Sequence, residues 1–371
     1  MSDTIAAQQH LFDPGEPTHL SLQDRFLVPP FSVLDARAGY WQKRKRDWLS
    51  LGIHSELGRD EKLLGYESLV NTKPCPACAG KGIIDGQRCR GCKGTGDQYG
   101  NYSMLHTTSV FDPVLCEVVY RWFAPRAGTV LDPFAGGSVR GIVAAALERG
   151  YLGIDLRPEQ VESNYAQLGP IAARHALEPR PEWVVGDSRE LPRLLGTHTF
   201  DAAFTCPPYF DLERYSKDPR DLSNAGEWSA FRKAYREIIA HTVAALKPDS
   251  FAVWVVGDIR QKTKPSGYRC LVPATIRAFL DAGCIFYNEC ILLTMLGTAP
   301  VRVAAQFGGG RKLGKVHQNV LVFCKGDPYA AAAKVPVEEV AVEQGGAVWR
   351  ADGSAEVPAT GEEYDPGWDT I

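Results

Sequence analysis

Two strand-ending segments constrain this chain more than any other feature: Val130-Leu131-Asp132-Pro133-Phe134-Ala135-Gly136-Gly137-Ser138 and Ala203-Phe204-Thr205-Cys206-Pro207-Pro208-Tyr209. Each follows an apolar run and closes in turn residues, as a buried parallel strand does at its carboxyl end. Open α/β sheets bind their ligands at that end. The pair therefore calls for a sheet of parallel strands with both loops on one side of it.

The surrounding pattern agrees. From about residue 106 the sequence alternates between strand-sized apolar runs and helical periodicity. Helices are expected at 112–123, 138–149, 158–168, 228–246 and 272–282, the first capped by Asp112 with Pro113 in its opening turn. Strands are expected at 129–131, 151–154, 183–185, 202–205 and 251–256, with an antiparallel pair at 285–294 and 319–323. This is an α/β fold, a mostly parallel sheet with helices on both faces. The organisation that follows is a flexible tail at 1–25, an N-terminal region at 26–105, a main domain at 106–326, and an acidic flexible tail at 327–371.

Composition excludes some classes. With 44% apolar and 23% charged residues the chain is ordinary for a globular protein, and its net charge of −3 gives no global basic signature. No segment approaches the roughly 20 apolar residues of a membrane span, and the N-terminus lacks the pattern of a signal peptide. No membrane partner and a cytoplasmic location are expected. Of ten cysteines, four cluster and six scatter through apolar runs, which favours a reducing compartment and metal binding over disulfides.

The first segment reads as a nucleotide loop. A helix N-terminus offers unpaired backbone N–H groups, and Gly136 and Gly137 let the backbone approach a ligand. Asp132 stands at the strand end. Asp155, after the next strand, is placed to take ribose hydroxyls, and Asp187, after the third, to accept from an adenine amino group. The second segment reads as a platform. Pro207 and Pro208 remove two donors and fix two φ angles, leaving the carbonyls of Cys206 and Pro207 as acceptors for an exocyclic amino group while Tyr209 stacks on a flat ring.

Asp132-Pro133-Phe134-Ala135-Gly136-Gly137-Ser138 resembles motif I of the S-adenosylmethionine-dependent DNA amino-methyltransferases, and Thr205-Cys206-Pro207-Pro208-Tyr209 resembles their motif IV. Phe111-Asp112-Pro113-Val114-Leu115 resembles motif X, the helix start that closes over the methionine. The resemblance covers about 106–326. It implies a Rossmann-like class I methyltransferase with a seven-stranded sheet. It further implies a cofactor site at Phe111, Pro113, Asp132, Pro133, Phe134, Gly136, Gly137, Ser138, Asp155 and Asp187, and catalysis by Thr205, Cys206, Pro207, Pro208 and Tyr209 on a base flipped out of double-stranded DNA. The Thr-x-Pro-Pro-Tyr form leans toward cytosine N4 over adenine N6. Cys206 stands where the family uses a better acceptor, which leaves the base open. The doubled proline after it argues against a nucleophilic cysteine. An RNA base, a donor other than methyl, and a non-catalytic DNA-binding module with the same fold remain alternatives.

Cys75-Pro-Ala-Cys78 and Cys89-Arg-Gly-Cys92 form two C-x-x-C pairs, the spacing of a four-thiolate structural zinc site within 72–98. The Cys-x-x-Cys-x-Gly-x-Gly form resembles the zinc repeats of DnaJ-type chaperones. For DNA docking the sequence offers Lys43-Arg44-Lys45-Arg46 between tryptophans and the loop residues Arg311, Lys312 and Lys315.

Overall fold

The computed structural model describes residues 22–54, 77–79, 81, 83–90, 110–175, 177–261, 266–296, 299–337, 348–349 and 355–356. They fall into two units, Met1–Pro30 with Val337–Ile371, and Phe31–Pro336. In the first, a five-residue helix α1 (Leu22–Phe26) and a short hairpin (Val348–Trp349 with Ala355–Glu356) are described.

The second unit is built on one sheet. Its strands are β1 (Val33–Asp35), β4 (Thr129–Asp132), β5 (Gly150–Asp155), β6 (Glu182–Val185), β7 (Phe200–Thr205), β8 (Leu246–Val256), β9 (Ile285–Leu293) and β10 (His317–Lys325). A separate hairpin pairs β2 (Ile83–Ile84) with β3 (Gln87–Arg88). The sheet order is β1-β9-β10-β8-β7-β4-β5-β6. Only β10 is antiparallel, and it separates β8 from β9. Counted from β4, the order runs third, second, first, fourth, fifth, an inserted antiparallel strand, sixth. That is the doubly wound order with one reversed strand added, and the chain has the Rossmann-like class I methyltransferase fold expected. The sheet has eight strands instead of seven, because Val33–Asp35 pairs parallel with Ile291–Leu293 at the edge.

The helices are α2 (Gly39–Ser50), α3 (Pro113–Phe123), α4 (Val139–Ala146), α5 (Pro158–His175), α6 (Leu191–Leu195), α7 (Trp228–Ala245), α8 (Leu271–Asp281), α9 (Ala299–Gly310) and α10 (Pro328–Ala333). The alternation of side chains along a strand sorts them into two layers. On β7, Ala203 joins the apolar core of α6, α7 and α8, while its neighbour Phe204 meets Phe111 and Tyr120 of the α3 region edge-on. Asp112 starts α3 by accepting from the backbone N–H groups of Val114 and Leu115 at 3.0 and 3.4 Å.

Residues 33–54 belong to this unit. Glu117 of α3 is wholly buried and accepts from Arg44 at 2.6 and 2.8 Å, from the Trp48 indole at 2.7 Å and from Arg121 at 3.0 Å. Trp41 and Lys45 reach Asp112 at 3.2 and 3.1 Å. The pairs 44/48 and 41/45 are each one helical turn apart, so two rows of α2 dock on two acids of α3. The fold also continues past residue 326, where α10 packs on β8 and Lys334 Nζ donates to the Pro248 carbonyl at 2.8 Å.

Candidate active site

The strand order reverses between β4 and β7, and the two loops singled out in the sequence leave those adjacent strands. Between them opens a cavity of about 610 Å³, ample for a nucleoside-sized ligand. Its lining includes Phe111, Pro133, Phe134, Gly136, Gly137, Asp155 and Asp187 from the expected cofactor set, and Cys206, Pro207, Pro208 and Tyr209 from the platform.

Gly136 holds the first loop open. Its φ is +51°, a conformation that suits glycine, and a Cβ built there meets no atom within 4 Å. Its N–H donates to Asp155 Oδ2 at 3.0 Å and its carbonyl accepts from Asn164 at 2.8 Å. Gly153 lets the loop sit close to β5, since a Cβ there would lie 2.7 Å from that of Ala135. Burial pushes the Asp155 carboxyl up to about 6, against the opposing pull of N–H donors from Arg157 and Gly136. The Asp187 carboxylate takes Arg189 Nε at 3.0 Å and Nη2 at 2.5 Å.

Four assignments are corrected by the geometry. Asp132 is fully buried and outside the cavity lining. It accepts from Arg140 Nε at 2.5 Å, Tyr151 OH at 2.7 Å, Thr205 Oγ1 at 2.5 Å and the Phe134 N–H at 3.1 Å. Thr205 is likewise buried, so it ties the platform strand to the cofactor loop instead of facing a substrate. Pro113 lies inside the first turn of α3, and Ser138 is buried with its hydroxyl unpartnered; neither lines the cavity. Among the basic residues, Arg44 pairs with Glu117 and Lys45 with Asp112, each basic side chain staying 28% exposed. Lys43, Arg46 and Arg311 are exposed, and Lys312 Nζ donates to Ser266 Oγ at 2.7 Å. Lys315 lies beside the platform: a Cβ on Gly257 would meet both Lys315 Cε and Tyr209 Cε2 at 3.6 Å.

The platform is braced from behind. Tyr209 OH accepts from Gln318 Nε2 at 2.9 Å and donates to the Val255 carbonyl at 3.4 Å. No described hydrogen bond ends on the Cys206 or Pro207 carbonyl. Burial pushes the Cys206 thiol up despite the nearby Arg140 guanidinium, which disfavours a thiolate nucleophile. Arg140 was not anticipated. Buried in α4, it donates to the carbonyls of Phe134 and Ala135 at 2.8 and 2.7 Å and stacks 4.5 Å from the Phe111 ring centroid. A lone arginine in the apolar run 139–146 was the signal, because a buried charge requires a partner. Gln318 carries no comparable signal.

Of the four clustered thiols, Cys78 and Cys89 are buried against each other beside the β2–β3 hairpin. Cys75 and Cys92 lie outside the described residues. Among the described residues no group of three His, Cys, Asp or Glu side chains is placed to hold a metal, and no helix is long and apolar enough to cross a membrane.

No family model matches the chain, and no curated protein matches it. Among solved structures it is similar to TrmN from Thermus thermophilus, with 19% identity over 58% of this chain and 49% of that one and a TM-score of 0.38. It is also similar to magnesium protoporphyrin IX methyltransferase from Synechocystis PCC 6803 with bound S-adenosylmethionine (9% identity, 58% and 79% covered, TM-score 0.37). A third is a putative RNA methyltransferase from Pyrococcus horikoshii (13% identity, 58% and 83% covered, TM-score 0.35). The chain spans about half the length of TrmN. The class I methyltransferase fold is assigned by the strand order itself.

Proposed function

We propose that this chain is an S-adenosylmethionine-dependent methyltransferase acting on the exocyclic amino group of a base flipped from double-stranded DNA, with cytosine N4 favoured over adenine N6. The observation that carries the reading is a single cavity walled by both the nucleotide loop and the Cys206-Pro207-Pro208-Tyr209 platform. The cofactor fits the residues present: a loop opened by Gly136, an acid at the tip of β5 for ribose hydroxyls, and a second acid at the tip of β6 for the adenine. When bound, it supplies an activated methyl group.

The chain's own residues position the acceptor. Tyr209, held at its hydroxyl by Gln318, presents its ring for stacking. The carbonyls of Cys206 and Pro207 accept the two amino hydrogens, which draws the nitrogen lone pair out of ring conjugation. Pro207 and Pro208 fix that geometry before binding, so positioning supplies much of the rate. Burial keeps the Cys206 thiol protonated, which disfavours its attack on the ring. Lys43, Arg46, Arg311, Lys312 and Lys315 are the proposed phosphate contacts, with Lys315 flanking the platform. We further propose that Cys75, Cys78, Cys89 and Cys92 bind a structural zinc, because a segment this poor in apolar residues needs a metal to fold; metal analysis of the purified chain should return one zinc ion.

Nucleoside mass spectrometry after incubation with matched DNA and RNA duplexes tests the function. A mass gain of one methyl on cytosine or adenine of DNA is expected. Gain on RNA alone moves the target. Tyr209→Ala should lose most turnover while keeping cofactor affinity, and unchanged turnover would remove the platform role.

A further inference from the structure

The platform runs into a residue whose backbone is out of character. Phe210 follows Tyr209 directly and has a φ of +50°, in the left-handed region that a bulky side chain rarely adopts. That conformation turns the chain back on itself, and the Leu212 N–H donates to the Tyr209 carbonyl at 3.0 Å. The direction in which the chain leaves the platform is therefore tied to Phe210. A strained conformation persists only where its surroundings over-determine it. Here the Phe210 ring is 2% exposed and meets Trp228 and Phe231 of α7 edge-on, at centroid distances of 5.5 and 5.4 Å.

A cation completes the enclosure. The Arg269 guanidinium stands over the Phe210 ring, 4.7 Å from its centroid, and 5.7 Å from that of Trp228. Arg269 lies just before α8, and its backbone N–H is fixed to the Ile259 carbonyl at 2.8 Å. Three residues on, the Val272 N–H donates to Asp258 Oδ1 at 3.2 Å, which pins the start of α8 to the end of β8. The Arg269 Nε is buried and finds no hydrogen-bond acceptor among the described residues. The aromatic faces are thus what this cation is placed against, and such attraction is stronger where water is excluded. Arg269 is outside the cavity lining, so it touches no ligand there. We infer that Arg269 is a positioning residue: its guanidinium clamps Phe210 in the left-handed conformation and thereby sets Tyr209 for the base. Its effect on turnover rests on the methyltransferase reading above; its hold on the turn does not.

Two measurements on the full chain test the clamp. Amide hydrogen exchange, followed by NMR, reads the turn itself. Arg269→Met keeps the length of the side chain without its charge, and should speed exchange of the Leu212 N–H while leaving the amides of β7 and β8 as they were. Arg269→Lys, which keeps a cation over the ring, should hold Leu212 close to the unaltered chain. Unchanged exchange in Arg269→Met overturns the clamp. Methyl transfer from labelled S-adenosylmethionine to plasmid DNA reads the consequence. Arg269→Met should lower kcat by roughly tenfold or more, as misplacement of a positioning group does, with KM for S-adenosylmethionine unchanged. Most of that loss should vanish when Phe210→Leu is already present, because both changes act on one contact. Losses that multiply in the double variant, or a KM that rises as kcat falls, assign Arg269 to the general fold and overturn the clamp. No transfer by the unaltered chain overturns the DNA reading instead, and exchange at Leu212 then decides the clamp alone.

Discussion

At the scale of single residues, the site turns on where each acid spends its charge. Asp155 faces the cavity and is raised to about 6 by burial. A neutral carboxyl is the poorer acceptor for ribose hydroxyls, so affinity for S-adenosylhomocysteine should fall as pH drops through about 6, and binding there should release a proton. Calorimetry between pH 5 and 8, about a unit or two either side of that value, reads both effects, and Asp155→Asn should flatten the pH dependence while weakening binding at neutral pH. The same raised value acts oppositely on the free fold: this group's contribution to stability is full below the ordinary aspartate value and is lost as pH rises through 6. Asp132 and Thr205 show why part of the site escaped the sequence. Both occupy the expected strand ends, yet which way a strand-end side chain points depends on register, and theirs point at each other beneath the loops. Gly136, Asp155, Pro207 and Tyr209 were legible because their chemistry is tied to backbone form or strand order.

At the scale of elements, α2 is held to α3 by a buried acid. Burial alone would raise the Glu117 carboxyl, but the Arg44 and Arg121 guanidiniums and the Trp48 indole hold it below the usual glutamate range. Its contribution is therefore present above the unfolded value and lost as pH falls through the lowered one. Glu117→Gln should destabilise the chain by about 3 kcal/mol at neutral pH, since one partner of a buried ion pair is then uncompensated. Thermal melts should show that gap narrowing toward low pH. The elements missed in the sequence share a cause: tertiary packing overrode local signals. The Gly169-Pro170 pair marks a helix end, yet α5 runs on through Pro170 because Ile171 and Ala172 are buried beyond it. Gly308-Gly309-Gly310 reads as a flexible loop but forms the last turn of α9. Val33–Asp35 is too short to show periodicity, and only its pairing with β9 makes it a strand.

At the scale of the whole molecule, the N-terminal region is divided. Residues 33–54 complete the sheet and wall the cavity, whereas the cysteine segment forms its own hairpin. A chain that begins at residue 106 should therefore lose more than a docking surface: Glu117 is stripped of Arg44 and Trp48, β9 loses its edge partner, and the cavity loses Gln42 and Lys45. A lower melting temperature and weaker S-adenosylhomocysteine binding are expected. A truncated chain that matches the full one in both would restore the N-terminal region as a separate module. The β1–β9 pairing also joins the beginning of the chain to a segment near residue 291. At a synthesis rate of about 5–20 residues per second, β1 leaves the ribosome on the order of ten to fifty seconds before its partner. Once α3 has followed, α2 has its seat while the strand beside it stays unpaired, so the wall of the cavity can assemble during translation before the edge of the sheet closes.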